Sequence, residues 1–220
     1  MKATGVSKDW TLPRGRHRLP REFVASHQRT RLLEAATGEI AKHGYASLTV
    51  AHIIQAAGIS RRTFYEQFDN LQECVYAAYE ASFERLTRIV FDACASHEDW
   101  PEGLAAAVSA AVDFAANSPQ QAHLLVAANS AGDPQLTRRA LATREQFVGM
   151  LRAGRERCPE AAATTDLVEQ ALIGGVMSVV GDRLIANQTD RLPELKPELV
   201  QLLLTPYVGG AEARRVASAA

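Results

Sequence analysis

Apolar positions along this chain recur with the period of helices. Between about Arg21 and His43, Leu32, Leu33, Ala36, Ile40 and Ala41 fall on one stripe, and Gly44 follows where a glycine ends a helix. Asn70 to about Ser96 is a long amphipathic stretch carrying Val75, Tyr79, Phe83, Leu86 and Val90. Proline at the first helical position opens the next two helices, at Trp100-Pro101 (running to about Asn117) and Ser118-Pro119. Gly132-Asp133-Pro134 breaks the pattern before a further helix that reaches Cys158. Thr165 to Asn187 and Glu194 to about Val208 complete the set. Strand-like alternation is missing, and no repeat of fixed period stands out. The pattern predicts an all-α fold of about nine helices.

The segment Leu48 to Phe68 is the most informative. Thr49 is a good N-cap, with Leu48 before it placed to staple against Ile53. Val50, Ile53, Ile54 and Ala57 form one buried face of a very short helix, and Gly58 supplies the left-handed residue that ends it. Ser60 can cap a second helix at once, on which Phe64 and Phe68 make the only strongly apolar edge. Two helices joined by a glycine-containing turn of about three residues describe a helix-turn-helix. Arg61, Arg62, Thr63, Tyr65 and Gln67 stay outside its apolar edge. Such side chains donate to base edges and phosphates, and they begin where a recognition helix meets bases. An ordinary helical hairpin with a solvated basic face is the alternative.

Charge sharpens the picture. The net charge of −1 hides 11 Lys/Arg against 6 Asp/Glu in residues 1–70, and 13 against 19 in the rest. Residues 1–20 hold Lys2, Lys8, Arg14, Arg16 and Arg18 among glycines and prolines, and read as a mobile basic arm suited to a polyanion. A hydrophobic share of 47% excludes disorder throughout. The scattered Cys74, Cys94 and Cys158 make no disulfide framework. No apolar run follows Met1, and the most apolar run, Ala171 to Gly181, is far below the roughly 20 residues of a membrane span. A cytoplasmic protein with no membrane partner is expected.

Leu48 to Glu73 resembles the DNA-binding domain of the tetracycline-repressor (TetR) family of bacterial transcription regulators. The family pattern is Gly-Tyr/Phe, Thr-x-x-x-Ile-Ala-x-x-Ala-Gly-Val-Ser, then Phe/Leu-Tyr-x-His-Phe closed by lysine. This chain offers Gly44-Tyr45, Thr49, Ile53, Ala57-Gly58-Ile59-Ser60 and Phe64-Tyr65-Glu66-Gln67-Phe68. It departs at Gln67, where the family has histidine, and at Leu71, where it has a phosphate-contacting lysine. The resemblance is close over about residues 23–75. It implies a homodimer that binds a double-stranded DNA operator, with Thr49 and Ser60 at the interface beside the residues of the second short helix named above. Arg14, Arg16 and Arg18 of the basic arm are expected to reach phosphates or the adjacent minor groove. The expected division is an arm over 1–20, the helix-turn-helix domain over 21–70, and a ligand-binding and dimerisation domain over 71–220.

The helical remainder fits that role. Thr165 to Asn187 is apolar nearly all round, and its small residues allow close helix approach. A four-helix interface built with the last helix and the same pair from a second subunit is the family's arrangement. Its candidate residues are Val168, Leu172, Gly175, Val179, Leu199, Leu202 and Leu203; the core of a monomer is the alternative. Phe83, Phe91, Phe114, His123, Phe147, Met150 and Met177 are candidates for a small-molecule effector pocket, with ordinary core packing as the alternative for each. P-loop, GxGxxG, GxSxG, HExxH and di-iron Glu-x-x-His patterns are absent, so no enzyme, cofactor or metal is expected. Glu39 and His43, at i and i+4, read as a surface pair. The function expected is a repressor released by a small molecule, against the alternative of a nucleoid-type DNA binder without an effector.

Overall fold

The computed structural model describes residues 21–158, 161 and 164–219. Among them are nine α-helices: α1 (Arg21–His43), α2 (Val50–Ala57), α3 (Arg61–Tyr65), α4 (Leu71–Ala95), α5 (Trp100–Asn117), α6 (Pro119–Ala127), α7 (Pro134–Arg157), α8 (Asp166–Ile185) and α9 (Lys196–Ala217). Short 3₁₀ turns at Ala128–Ser130 and Thr189–Leu195 join the others, and no strand occurs among the described residues. Arg14, Arg16 and Arg18, and the rest of the basic arm, lie outside the described residues.

Local chemistry places most boundaries. The Asn70 side chain accepts from the Glu73 N–H at 2.9 Å to start α4, and Asp133 starts α7 in the same way. Prolines 101, 119 and 134 occupy the first turns of α5, α6 and α7, where a missing N–H is harmless. The last helix is the exception. Periodicity fades near Val208, yet α9 continues to Ala217 across a kink at Gly209, whose φ of 76° interrupts the helical backbone. Ala213, Val216 and Ala217 beyond the kink are buried, so tertiary packing against α5 holds a turn that sequence period does not announce.

One apolar cluster runs from Leu32 to Ala217. α1 packs on α2, α4 and α6, and α4 packs along α5, which in turn meets α9. At the far end Trp100 lies against Tyr207, with ring centres 4.8 Å apart, and Gly154 leaves room for the indole. Glu169 on α8 is fully buried and paired: Arg155 bonds it at 2.9 Å and the Tyr207 hydroxyl donates to it at 3.1 Å. Burial with both partners satisfied is what a carboxylate requires in such a place. Glu39 is buried as well, although its partners Lys42 and His43 are exposed. It accepts from Lys42 at 2.6 Å and sits 3.2 Å from His43, and the Lys42 bond lowers its carboxyl pKa.

Candidate nucleic-acid interface and ligand cavity

The short helices α2 and α3 stand at one end of the molecule, backed by α1. Thr49 accepts from the His52 N–H at 3.3 Å and Ser60 accepts from the Thr63 N–H at 3.1 Å, so both helices carry the caps their sequence suggests. Gly58 adopts φ 61°, ψ 38°; its N–H reaches the Gln55 carbonyl and the Ile59 N–H reaches the Ile54 carbonyl. That pair of bonds is a Schellman closure. Leu48, Ile53, Ala57, Phe64 and Phe68 are buried against Leu32, Ala36 and Ile40 of α1. With its inner edge anchored, α3 turns the rest of its surface outward.

The outward residues are those of the sequence pattern. Thr49, Ser60, Arg61, Arg62 and Tyr65 are exposed, and Thr63 and Gln67 are half-buried. Arg62 is 89% exposed and pairs with Glu66 at 2.9 Å. An exposed pair of this kind is worth little and exchanges readily for a phosphate or a guanine edge. Tyr65 rests edge-on against Phe64, at 5.3 Å, with its hydroxyl end free to reach outward. Leu71, at the family's lysine position, packs against the core instead of presenting a charge.

Two arginines of α1, unmarked in the sequence pattern, hold the unit in place. Arg31 donates to the Ala57 carbonyl at 2.5 Å, and Arg29 donates to the Gln67 carbonyl at 3.3 Å while its guanidinium lies 4.4 Å from the Phe68 ring centre. These carbonyls end α2 and the turn after α3, where helices leave acceptors unpaired and favour a cation. Part of the basic excess of residues 1–70 is therefore spent inside the domain.

A third connection crosses to the helical body. Asp133 caps α7 through Oδ1, which accepts from the N–H groups of Gln135 and Leu136 at 2.8 and 3.1 Å. Its Oδ2 accepts from the hydroxyls of Tyr45, at 2.5 Å, and Tyr76, at 2.7 Å. Partial burial pushes this carboxyl up, but the bonds from Tyr45, Tyr76, Leu136 and Gln135 outweigh it and hold the pKa at about 2. Burial and the facing carboxylate push both phenols up. Tyr45 follows α1 and Tyr76 lies on α4, so one carboxylate ties the helix-turn-helix end to the start of α7.

Within the body, α4 to α8 enclose a cavity of about 150 Å³. Phe114, Phe147, Met150 and Met177 line it, as expected. Phe83, Phe91 and His123 do not. Phe83 meets Phe147 edge-on from behind, at 6.1 Å; Phe91 is 40% exposed; and the His123 Nδ1 is buried without a hydrogen-bond partner. Helical period places these side chains on an inner face without saying which neighbour they meet. Thr143 supplies the only hydroxyl among the described lining residues, and its oxygen is bonded to the Tyr79 hydroxyl at 2.8 Å. Among the described residues no cluster of three or more His, Cys, Asp or Glu could hold a metal, and no helix is long and apolar enough to cross a membrane.

The candidate dimer residues divide in two. Val168, Val179, Leu202 and Gly175 are exposed and Leu172 is half-buried, whereas Leu199 and Leu203 are buried in the chain's own core. Leu203 faces the cavity. Leu167 and Ile185, outside the candidate dimer residues, are 75% and 68% exposed and extend the apolar surface of α8.

Residues 32–78 match the sequence model of the bacterial regulatory proteins, tetR family. Over this segment the chain is similar to the tetR family. The match spans the second half of α1, α2, α3 and the start of α4, and so includes the capped helices and the outward arginines. The fatty acid degradation regulator FadR from Bacillus halodurans is similar in structure, with a TM-score of 0.70 at 21% identity over 80% of this chain and 94% of that one. The transcriptional regulator FadR from Bacillus subtilis, solved in complex with stearoyl-CoA, gives 0.69 at 18% identity, over 80% and 98%. A TetR-like transcriptional regulator from Rhodococcus sp. RHA1 gives 0.67 at 17%, over 86% and 97%. These TM-scores show a shared fold along most of the chain. No curated protein matches the sequence.

Proposed function

We propose that this chain is a homodimeric transcriptional repressor that grips a palindromic operator through α3 and lets go when a small molecule occupies the apolar cavity. The observation that carries the reading is the outward row Ser60, Arg61, Arg62, Thr63 and Tyr65 on a helix whose other edge, Phe64 and Phe68, is buried. In this reading residues 21–70 form the reading head, Arg14, Arg16 and Arg18 add phosphate contacts, and residues 71–220 carry the dimer surface and the effector. Two heads related by a two-fold axis address half-sites one helical turn or a multiple apart, about 34–36 Å per turn. The exposed apolar residues of α8 and α9 (Leu167, Val168, Val179, Ile185 and Leu202) offer a second copy a surface that a lone chain leaves in water.

The cavity supports an effector with a hydrocarbon part, since its lining offers almost nothing polar. The similar fold of the Bacillus subtilis regulator was solved with a ligand that has such a part. Such an effector acts by binding the DNA-incompetent spacing of the heads more tightly than the competent one. Turning a population from 1:99 to 99:1 takes about 10⁴-fold preference, or about 5.5 kcal/mol. The test is selection of duplexes from a random pool, by the wild type and by Arg62→Ala. The wild type should enrich a palindrome, and Arg62→Ala should relax preference at particular positions, costing about 1–3 kcal/mol there. Enrichment of no sequence would favour the nucleoid-type alternative.

A further inference from the structure

A second cleft, of about 830 Å³ and far more polar than the cavity, lies between α1, α4 and the start of α6. Arg31 and Arg85 contribute guanidinium groups and His27 an imidazole, while Glu34 is the one acid among the described lining residues. Its remaining walls are largely neutral donors and acceptors, including Asn117, Gln120 and Gln121. The first turn of α6 forms part of the wall, and Ser118 does not cap it, so its N–H groups have no side-chain acceptor there.

The cleft and the apolar cavity share three helices at neighbouring positions, adjacent on α4 and α6 and three residues apart on α5. On α4, Arg85 faces the cleft and Leu86 the cavity; on α6, Gln121 faces the cleft and Ala122 the cavity; on α5, Asn117 and Phe114 divide in the same way. The Arg85 guanidinium lies 5.6 Å from the Phe114 ring centre and donates to Gln121 at 2.6 Å. One aromatic ring therefore parts an apolar space that lacks a charge from a polar space that has a cation at its edge. From this juxtaposition we propose that the effector is an amphipathic anion, its hydrocarbon part in the cavity and its anionic group in the cleft on Arg85.

The proposal deepens the reading of the cavity as an effector site and rests on it. The anion replaces Gln121 as the partner of Arg85, a charge-assisted bond in place of a neutral acceptor. It also draws on Arg31, the group that ties the end of α2 to α1. Head and effector thus compete for one guanidinium, which gives the anion a route to the DNA-reading end.

Isothermal titration of the full-length protein without DNA tests this, with octanoate, octanoyl coenzyme A, octan-1-ol and acetate as probes. Variants Arg85→Gln and Arg85→Lys join the wild type, their folding checked by circular dichroism. Arg85→Gln should weaken the anionic octyl probes about three- to tenfold, in the range of a partly exposed ion pair, and change octan-1-ol less than about twofold. Arg85→Lys should keep most of the affinity. Tighter octanoate than thioester assigns the anion to a carboxylate; the reverse assigns it to phosphates. Four outcomes overturn the proposal: equal losses for octan-1-ol and octanoate, no loss for either anionic probe, acetate binding as tightly as octanoate, or no binding by any anionic octyl probe. Failure to enrich an operator alongside intact octanoate binding would strike the regulator reading and leave this one standing.

Discussion

Replacing Asp133 by alanine removes four hydrogen bonds from one carboxylate, two that cap α7 and two that hold Tyr45 and Tyr76. Losing the cap costs about 1 kcal/mol. Each phenol bond to a partly solvated carboxylate adds a further ~0.5–1 kcal/mol. The total is about 2–3 kcal/mol, of which the double variant Tyr45→Phe/Tyr76→Phe should lose about 1–2 kcal/mol with the cap intact. Because the three groups share one carboxylate, the single Tyr→Phe losses should not add. The pH dependence follows from a pKa held at about 2 in the fold, against about 3.9 for an unfolded aspartate. A depressed carboxyl contributes stability in full above the unfolded value, and that contribution vanishes as pH falls through the folded one. The gap between wild type and Asp133→Ala should therefore be constant from pH 7 to about pH 5 and narrow steadily between about pH 4 and pH 2. Urea unfolding followed by circular dichroism across that range measures it. A gap that stays level below pH 4, or an Asp133→Ala loss under about 0.5 kcal/mol, would show that the carboxylate does not join the two ends of the molecule.

Two further substitutions probe packing in opposite ways. A Cβ at Gly154 would lie 2.2–2.6 Å from three ring carbons of buried Trp100, itself held against Tyr207, so Gly154→Ala should cost about 3 kcal/mol in urea unfolding; a loss below about 0.5 kcal/mol would mean that the indole moves aside. A Cβ at Gly175 meets nothing within 4 Å in the single chain, so Gly175→Trp should leave folding intact and shift light scattering toward the monomer mass; an unchanged dimer would place the interface elsewhere.

What the amino-acid order determined by itself is local. Thr49, Gly58 and Ser60 cap and close α2 and α3 as their residue types suggest, because a cap is decided within about four residues. The anchoring of Phe64 and Phe68, and the exposure of Arg61, Arg62 and Tyr65, followed from period in the same way. What the tertiary structure decided is which partner each face meets. Arg29 and Arg31 look like surface cations in α1, yet they end on carbonyls of the helix-turn-helix, 38 and 26 residues away. Leu199 and Leu203 carry the same apolar signal as Leu202, but only Leu202 is left outside, since the rotation of α9 against α5 selects the inner pair. Asp133 reads as a helix cap, and its second oxygen reaches back 88 residues to Tyr45 and 57 to Tyr76. Helical period specifies an angle about an axis; the neighbour found at that angle depends on how every other helix has packed.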